Sequence, residues 1–376
     1  MKVEEVTAGI KALGIEYLIG VPDSTLRQFC DYIQSEGRDE FCHFVTPNEG
    51  AAVGMATGVY LSTGHPACVY MQNSGIGNIV NPVTSLANEE VYGIPMLFIV
   101  GWRGEPGFHD EPQHKFMGRV TKEMLELLEI SYSVIGNTTS SDELKQIFKE
   151  ASKTLSEGKQ YAVIVRKDAF EAGKSIKYQN GHSLIREEVI EEILHCIHKT
   201  DIVVSTTGKI SREVYEQSDK ILGQHAQEFL TVGGMGHASM IALAIAKTTP
   251  SEKVFCIDGD GAVLMHMGAL AFIGREHPEN MIHICLNNEA HESVGGMPTG
   301  AAGQSYADIA QQCGYRQVHR IETKEELKTV FQGMREMKGP VFIEIMVAMD
   351  SRKDLGRPKE TATENKNAFM RYHEVR

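Results

Sequence analysis

Short apolar runs of strand length, each followed by a stretch with helical spacing, constrain this chain more than any other feature. In the first half the runs are 17–21, 41–45, 67–72, 96–101, 132–135 and 161–165. In the second half they are 202–205, 254–257, 282–286, 316–318 and 341–347. Helical spacing occupies 24–35, 50–61 and 141–155, then 186–198, 236–246, 262–274 and 324–337. Near-continuous apolar strands alternating with helices fit parallel sheets covered on both faces, because parallel neighbours require crossover connections. The expected class is α/β, with two doubly wound parallel-sheet domains. A length of 376 residues accommodates both. The expected domains are 1–168 and 185–350, with a linker over 169–184 that lacks an apolar period. A charged surface tail, 351–376, with room for partial helix, follows.

Composition narrows the class. Hydrophobic residues make up 42% and charged residues 23%, as in globular proteins. No apolar stretch approaches the roughly 20 residues that span a bilayer. The opening MKVEEVTAGIKALGIEY has no basic segment before an apolar one and does not read as a signal peptide. A cytoplasmic protein with no membrane partner is expected. Seven cysteines, an odd number without C-x-x-C spacing, disfavour a disulfide framework or a zinc ribbon and read as small buried hydrophobes. A net charge of −13 without a basic run disfavours nucleic acid as a partner. It still permits a small anionic substrate, since a few local cations can dominate one cleft.

The most informative stretch is VFCIDGDGAVLMHMGALAFIGREHPENMIHICLNNEAHESVGG. One strand ends in Asp258-Gly259-Asp260-Gly261, and the strand after the next helix ends in Asn287-Asn288. Ligands on open α/β sheets sit beyond the carboxyl ends of strands, so Asp260 and Asn288 are expected to face one crevice. Their oxygens suit a hard cation such as Mg²⁺, with either asparagine as ligand and the carbonyl of Ala290 as a third oxygen. Gly259 and Gly261 would let backbone N–H groups approach a diphosphate at a helix N-terminus. Gly-Asp-Gly alone would read as a tight turn; the second strand end shifts the balance to a metal–diphosphate site. A nicotinamide site lacks its G-x-G-x-x-G, and a P-loop is missing because Ile210 follows Gly208-Lys209.

Gly-Asp-Gly followed by Asn-Asn resembles the fingerprint of thiamine-diphosphate enzymes. The resemblance covers nearly the whole chain and implies a pyrimidine-binding domain first and a diphosphate domain second. It implies that Glu49, in HFVTPNEGAAVGMATG, contacts the aminopyrimidine and shares a proton with its N1′. It further implies that Met235, between Gly234 and Gly236 in TVGGMGHASM, props the bent cofactor, and that Thr207 and Gly208 touch it. The chain has no room for the central domain of longer decarboxylases. In the segments GVPDSTL, YMQNSGIGNIVNPVTSL, GWRGEPGFHDEPQHKFMG and STTGKISREVYE it is similar to the phosphonopyruvate decarboxylases and, less closely, the sulfopyruvate decarboxylases. That family implies a 2-oxo acid substrate carrying a phosphonate group, a place in phosphonate biosynthesis, and a homo-oligomer. The cofactor would then lie between the first domain of one subunit and the second of another. A sulfonate substrate, a non-catalytic subunit of the same fold and a nicotinamide dehydrogenase are the alternatives.

Segment 101–118 reads as a loop after a strand, where binding groups concentrate. Its Arg103, His109, Asp110, Glu111, Gln113, His114 and Lys115 suggest anion recognition, with Arg103 bidentate to phosphonate and histidines donating bonds or protons. His109 and His114 are wrongly spaced, with Pro112 between them, for paired zinc ligands one helical turn apart. Asp23, after the first strand, is a candidate for proton handling and substrate contact. Gln72 and Asn73 offer polar contacts to cofactor or substrate.

Overall fold

Every apolar run forms part of a strand in one of two parallel sheets. The computed structural model describes residues 1–300 and 302–374, so the last two residues of the expected tail lie outside the described residues. Two compact units, Met1–Lys177 and Tyr178–Arg376, divide inside the expected linker.

The first unit contains β1 (Tyr17–Gly20), β2 (Cys42–Val45), β3 (Ala67–Gln72), β4 (Met96–Gly101), β5 (Ser131–Ile135) and β6 (Gln160–Val165). Their order is β2-β1-β3-β4-β6-β5, and all pairs are parallel. The central strand β4 is buried throughout. The one polar side chain at the start of β6 is satisfied, since Gln160 Nε2 donates to the carbonyls of Ala87 and Ile94 at 2.8 and 2.7 Å. Helix Glu49–Thr63 starts where Asn48 Oδ1 accepts the Ala51 N–H at 2.9 Å and stops at the left-handed Gly64.

The second unit contains β7 (Ile202–Ser205), β8 (Glu228–Leu230), β9 (Val254–Gly259), β10 (Met281–Asn287), a hairpin of β11 (Ala290–His291) and β12 (Met297–Pro298), then β13 (Gln317–Ile321) and β14 (Val341–Met346). The large sheet runs β13-β14-β10-β9-β7-β8. Register pairs Gly259 with Leu286 and Ser205 with Ile257, so β7, β9 and β10 end near one level. Among the described residues no helix is long and apolar enough to cross a membrane.

Several expectations are corrected. The expected helix 262–274 is two helices, Asp260–Met265 and Gly268–Glu276, because His266 leaves helical dihedrals and lays its ring edge-on to His237. Segment 101–118 is a loop only to Glu111; Pro112 opens helix Pro112–Leu127, a position where its missing N–H costs nothing. Within the expected linker, the Gly173 N–H donates to Gln28, and Asn180 Nδ2 donates to the carbonyls of Asn288 and Val347. The charged tail is partly helical, as allowed, and its helix Ala362–Glu374 lies against β8 rather than free at the surface. There Asn365 bonds the backbone of Glu228 and Leu230, and Phe369 meets Phe229 edge-on, so the exposed sheet edge is covered. Cys30, Cys68, Cys256 and Cys285 are buried, as small hydrophobes are, but Cys196 and Cys313 are half-buried and Cys42 is exposed on edge strand β2.

In the first unit His43 on β2 sits between Gln34 and Tyr70, with Nε2 2.7 Å from the Tyr70 hydroxyl. Burial lowers its ring to about 4 from the ordinary 6.5. The unfolded chain therefore takes up this proton first as pH falls. Stability contributed by the neutral ring is complete above pH 6.5 and is lost on going down to about pH 4, on the order of 2–3 kcal/mol. Urea denaturation across this window should show a flatter pH dependence for His43→Gln than for the wild type.

Candidate functional site

In the second unit, β9 passes directly into a helix at Asp260, which is buried. One carboxylate oxygen accepts from Thr299 Oγ1 at 3.2 Å, and the backbone N–H groups of Gly261 and Asn288 also reach the carboxylate. Burial pushes this carboxyl up to about 7, since the contacts opposing it are neutral hydrogen bonds. Its neighbour Asp258 turns inward to His283, at 3.4 Å, leaving Asp260 as the acid at the strand edge.

The next strand end separates the two asparagines. Asn287 spends both ends of its amide, donating to Glu344 at 2.8 Å and accepting the Glu289 N–H at 2.9 Å. Asn288 accepts the Ala290 N–H on Oδ1 at 3.1 Å and donates from Nδ2 to Glu292 at 2.9 Å. Glu289, which follows the pair, adopts φ +59°, and the β11–β12 hairpin brings Thr299 back to Asp260. The contact with the Asn288 N–H puts Asp260 beside this loop, so a carboxylate and an amide oxygen share one strand edge. That donor set suits a hard divalent cation.

Met235 arrives from a distant segment. A methyl placed on Gly261 would lie 3.2 Å from Met235 Cε and 3.4 Å from the His291 ring, so all three meet at the Gly-Asp-Gly turn. Gly234 and Gly236 flank Met235 at φ +69° and +84°, backbone that favours glycine. Sequence reasoning missed His291. Burial lowers its ring to about 4, and Nε2 has no partner among the described residues. At the end of β7, the buried hydroxyls of Ser205 and Thr206 likewise have none. Thr207 Oγ1 donates to the Val232 carbonyl, and Gly208 at φ +95° caps helix Lys209–Ile221. Gly259 borders the same region: a methyl there would lie 3.2 Å from Ile210 Cδ1. Partnerless hydroxyls before a left-handed turn and a helix N-terminus form a donor set able to receive an anionic diphosphate. A diphosphate and its cation therefore fit the residues present.

In the first unit, Glu49 opens its helix with a buried carboxylate that accepts from Asn78 Nδ2 at 2.6 Å. Gly75 presses on it: a methyl there would sit 2.5 Å from Glu49 Oε1. Neither Asn78 nor Gly75 carried a signal in sequence, since each matters only through its contact with Glu49. Asp23 is fully buried beyond β1, with Oδ2 accepting the Thr25 N–H at 2.8 Å and Oδ1 without a partner among the described residues. Burial raises its carboxyl, with the Arg103 charge acting against that. Gly101 is required here, because a methyl would fall 2.3 Å from Asp23 Oδ2.

Arg103 is not an open anion receptor. Its Nε and Nη2 close on both oxygens of Asp110 at 2.8 and 2.5 Å, and Nη1 donates to Ser24 at 2.8 Å. Burial works against the Asp110 charge, yet Arg103 and the N–H groups of Gly104 and Glu111 hold its carboxyl well below the usual range. Asn73 is buried and locked to the Arg103 backbone and to Thr121, so it braces the loop. Gln72 donates to Ser74. His114 is half-buried in the first turn of helix Pro112–Leu127, its ring lowered by burial and by Arg103. His109 and Gln113 are exposed, and among the described residues neither hydrogen-bonds nor ion-pairs with this cluster of Asp23, Ser24, Arg103 and Asp110.

Residues 1–124 match the family model "Thiamine pyrophosphate enzyme, N-terminal TPP binding domain", and residues 216–345 match "Thiamine pyrophosphate enzyme, C-terminal TPP binding domain". A phosphonopyruvate decarboxylase of Streptomyces viridochromogenes is 34% identical over 98% of this chain and 94% of its own. One from Streptomyces hygroscopicus is 33% identical over 98% and 93%. A sulfopyruvate decarboxylase of Methanosarcina acetivorans is 26% identical over 92% and 90%.

Gly75→Ala tests the packing at Glu49. The added methyl must displace the carboxylate or the 73–75 turn, at a cost of about 1–3 kcal/mol. Urea denaturation should show that loss; a midpoint equal to wild type would mean the gap is wider than the contact implies.

Proposed function

Because the chain belongs to the phosphonopyruvate decarboxylase family of thiamine-diphosphate enzymes, which makes it a 2-oxo acid decarboxylase, we propose that its substrate is 3-phosphonopyruvate and its products are phosphonoacetaldehyde and CO₂. Likeness to phosphonopyruvate decarboxylases over nearly the full chain, at higher identity than to the sulfopyruvate relative, supports a phosphonate over a sulfonate. The single observation that carries the cofactor reading is the meeting of Asp260, the Asn288 loop, Met235 and the partnerless Ser205 and Thr206 hydroxyls around one sheet edge. A cytoplasmic homo-oligomer of at least two copies, working in phosphonate biosynthesis, completes the reading. A non-catalytic role fits poorly with a chain that carries both Glu49 and the Asp260–Asn288 pair.

In this reading Asp260, Asn288 Oδ1 and the Ala290 carbonyl hold Mg²⁺, with Asn287 left to brace the loop through Glu344. Ser205, Thr206, Thr207, Gly208, Gly259 and Gly261 receive the diphosphate, and Met235, on its glycine-flanked turn, supports the cofactor body. Bound thiamine diphosphate supplies the electron sink for the pair released with CO₂. Glu49 holds or yields a proton at its carboxylate toward the aminopyrimidine N1′, and Asn78 fixes which oxygen points outward. Asp23, with one unpartnered oxygen, handles a proton near the substrate. Arg103 and His114 meet the anionic ends of the substrate, which must compete with Asp110 for the guanidinium; Gln72, His109 and Gln113 take lesser contacts, and Asn73 braces the loop that carries Arg103.

Two variants and a substrate pair test this. After chelator treatment and resupply of cofactor and Mg²⁺, wild type should release CO₂ faster from phosphonopyruvate than from sulfopyruvate; the reverse order overturns the substrate reading. Glu49→Gln should lower turnover by about 10²–10⁴-fold while cofactor and metal still bind. Asp260→Ala should weaken both together, and unchanged affinity for both would remove the metal assignment.

A further inference from the structure

An amide ligates a cation through its oxygen, and a half-turn about the last torsion presents nitrogen instead. Two contacts decide the orientation of Asn288. Its Oδ1 accepts the Ala290 N–H at 3.1 Å, and its Nδ2 donates to Glu292 Oε2 at 2.9 Å. After a half-turn the NH₂ would face an N–H and the oxygen would face a carboxylate, so both contacts would become repulsive.

Glu292 is itself held. Arg186 Nη1 donates to Oε2 at 2.5 Å, and Lys209 Nζ donates to Oε1 at 2.8 Å. Arg186 is buried, and its other edge is closed on both oxygens of Glu213 at 2.7 and 2.8 Å. Two cations and two carboxylates thus balance inside the second unit. Lys209 is the first residue of the helix behind Thr207-Gly208, so one carboxylate also ties the Asn288 loop to that turn.

We propose that Glu292 is a positioning residue that fixes the Asn288 amide with its oxygen available to Mg²⁺, and that Arg186 and Lys209 hold Glu292 for this purpose. The proposal rests on the reading of Asp260 and Asn288 as metal ligands. Partners of ligating side chains are commonly worth 10–100-fold in metal affinity. The rival role is general: Glu292 could act on a cation through its charge, or serve only to satisfy Arg186.

The test is Mn²⁺ uptake by the full-length protein with thiamine diphosphate present, followed by electron paramagnetic resonance, with the melting temperature of the metal-free protein measured alongside. Glu292→Ala should bind Mn²⁺ about 10–100-fold more weakly. Glu292→Gln, which keeps an acceptor oxygen but not the charge, should stay within about threefold of wild type if one acceptor suffices to orient the amide. Glu292→Ala should add nothing in an Asn288→Ala background, because a residue acting through another is not additive with it. Glu213→Gln, which removes the charge on the far edge of Arg186 and leaves the Arg186 and Lys209 contacts to Glu292 in place, should shift melting more than Mn²⁺ affinity. Should Glu292→Ala fail to fold, Glu292→Asp, shortened away from Asn288 with its charge kept, decides the point by binding Mn²⁺ more weakly. Normal affinity in Glu292→Ala alongside an impaired Asp260→Ala overturns the positioning role and leaves the metal site standing. Additive losses in the double variant overturn it as well. No saturable Mn²⁺ uptake by wild type overturns both.

Discussion

A parallel strand cannot be reached from its neighbour by a hairpin, so each crossover returns the chain to the same starting edge of the sheet. Every strand of a sheet then delivers its carboxyl end to one opposite edge, however far apart those ends are in sequence. In the first unit this rule gathers Asp23 after β1, Glu49 after β2, Gln72-Asn73 at the end of β3 and Arg103 after β4. In the second it gathers Ser205-Thr206 at β7, Asp260 at β9 and Asn288 at β10. Register sharpens the effect. With Gly259 opposite Leu286, a slip of one residue would turn the side chains of β9 to the opposite face of the sheet and carry Asp260 out of line with the Asn288 loop.

The buried and half-buried acids at these edges fall into two kinds, told apart by what satisfies them. Asp110 and Glu292 face guanidinium or ammonium groups on both oxygens and are committed to structure. Asp260 has only a hydroxyl and backbone N–H groups, and Asp23 keeps one oxygen without a partner among the described residues. Charge desolvated without a countercharge is unfavourable, so the second kind is tolerated only where a proton or a cation can supply the balance. Composition cannot draw that line, because all four residues are plain acids in a chain of net charge −13.

The same distinction explains what was legible. Apolar runs mark strands because a strand buried on both faces has no polar alternative, and ten of the eleven runs nearly reproduce strand bounds. Strand β8 escaped because it is three residues long, begins with a buried glutamate and lies at the sheet edge. Gly-Asp-Gly and Asn-Asn were legible because their chemistry sits in consecutive residues at strand ends. Arg103 was legible as a cation but not as one already paired, since its pairing with Asp110 depends on how the loop before Pro112 folds back. Asn78, Gly75, His291 and Glu292 carry no local pattern at all. Asn78, Gly75 and His291 acquire a role only when the packing of separate elements brings them against Glu49 or Gly261, and Glu292 only when the turn after β10 folds it back on Asn288, so that information lies in the folded contacts rather than in any segment read alone.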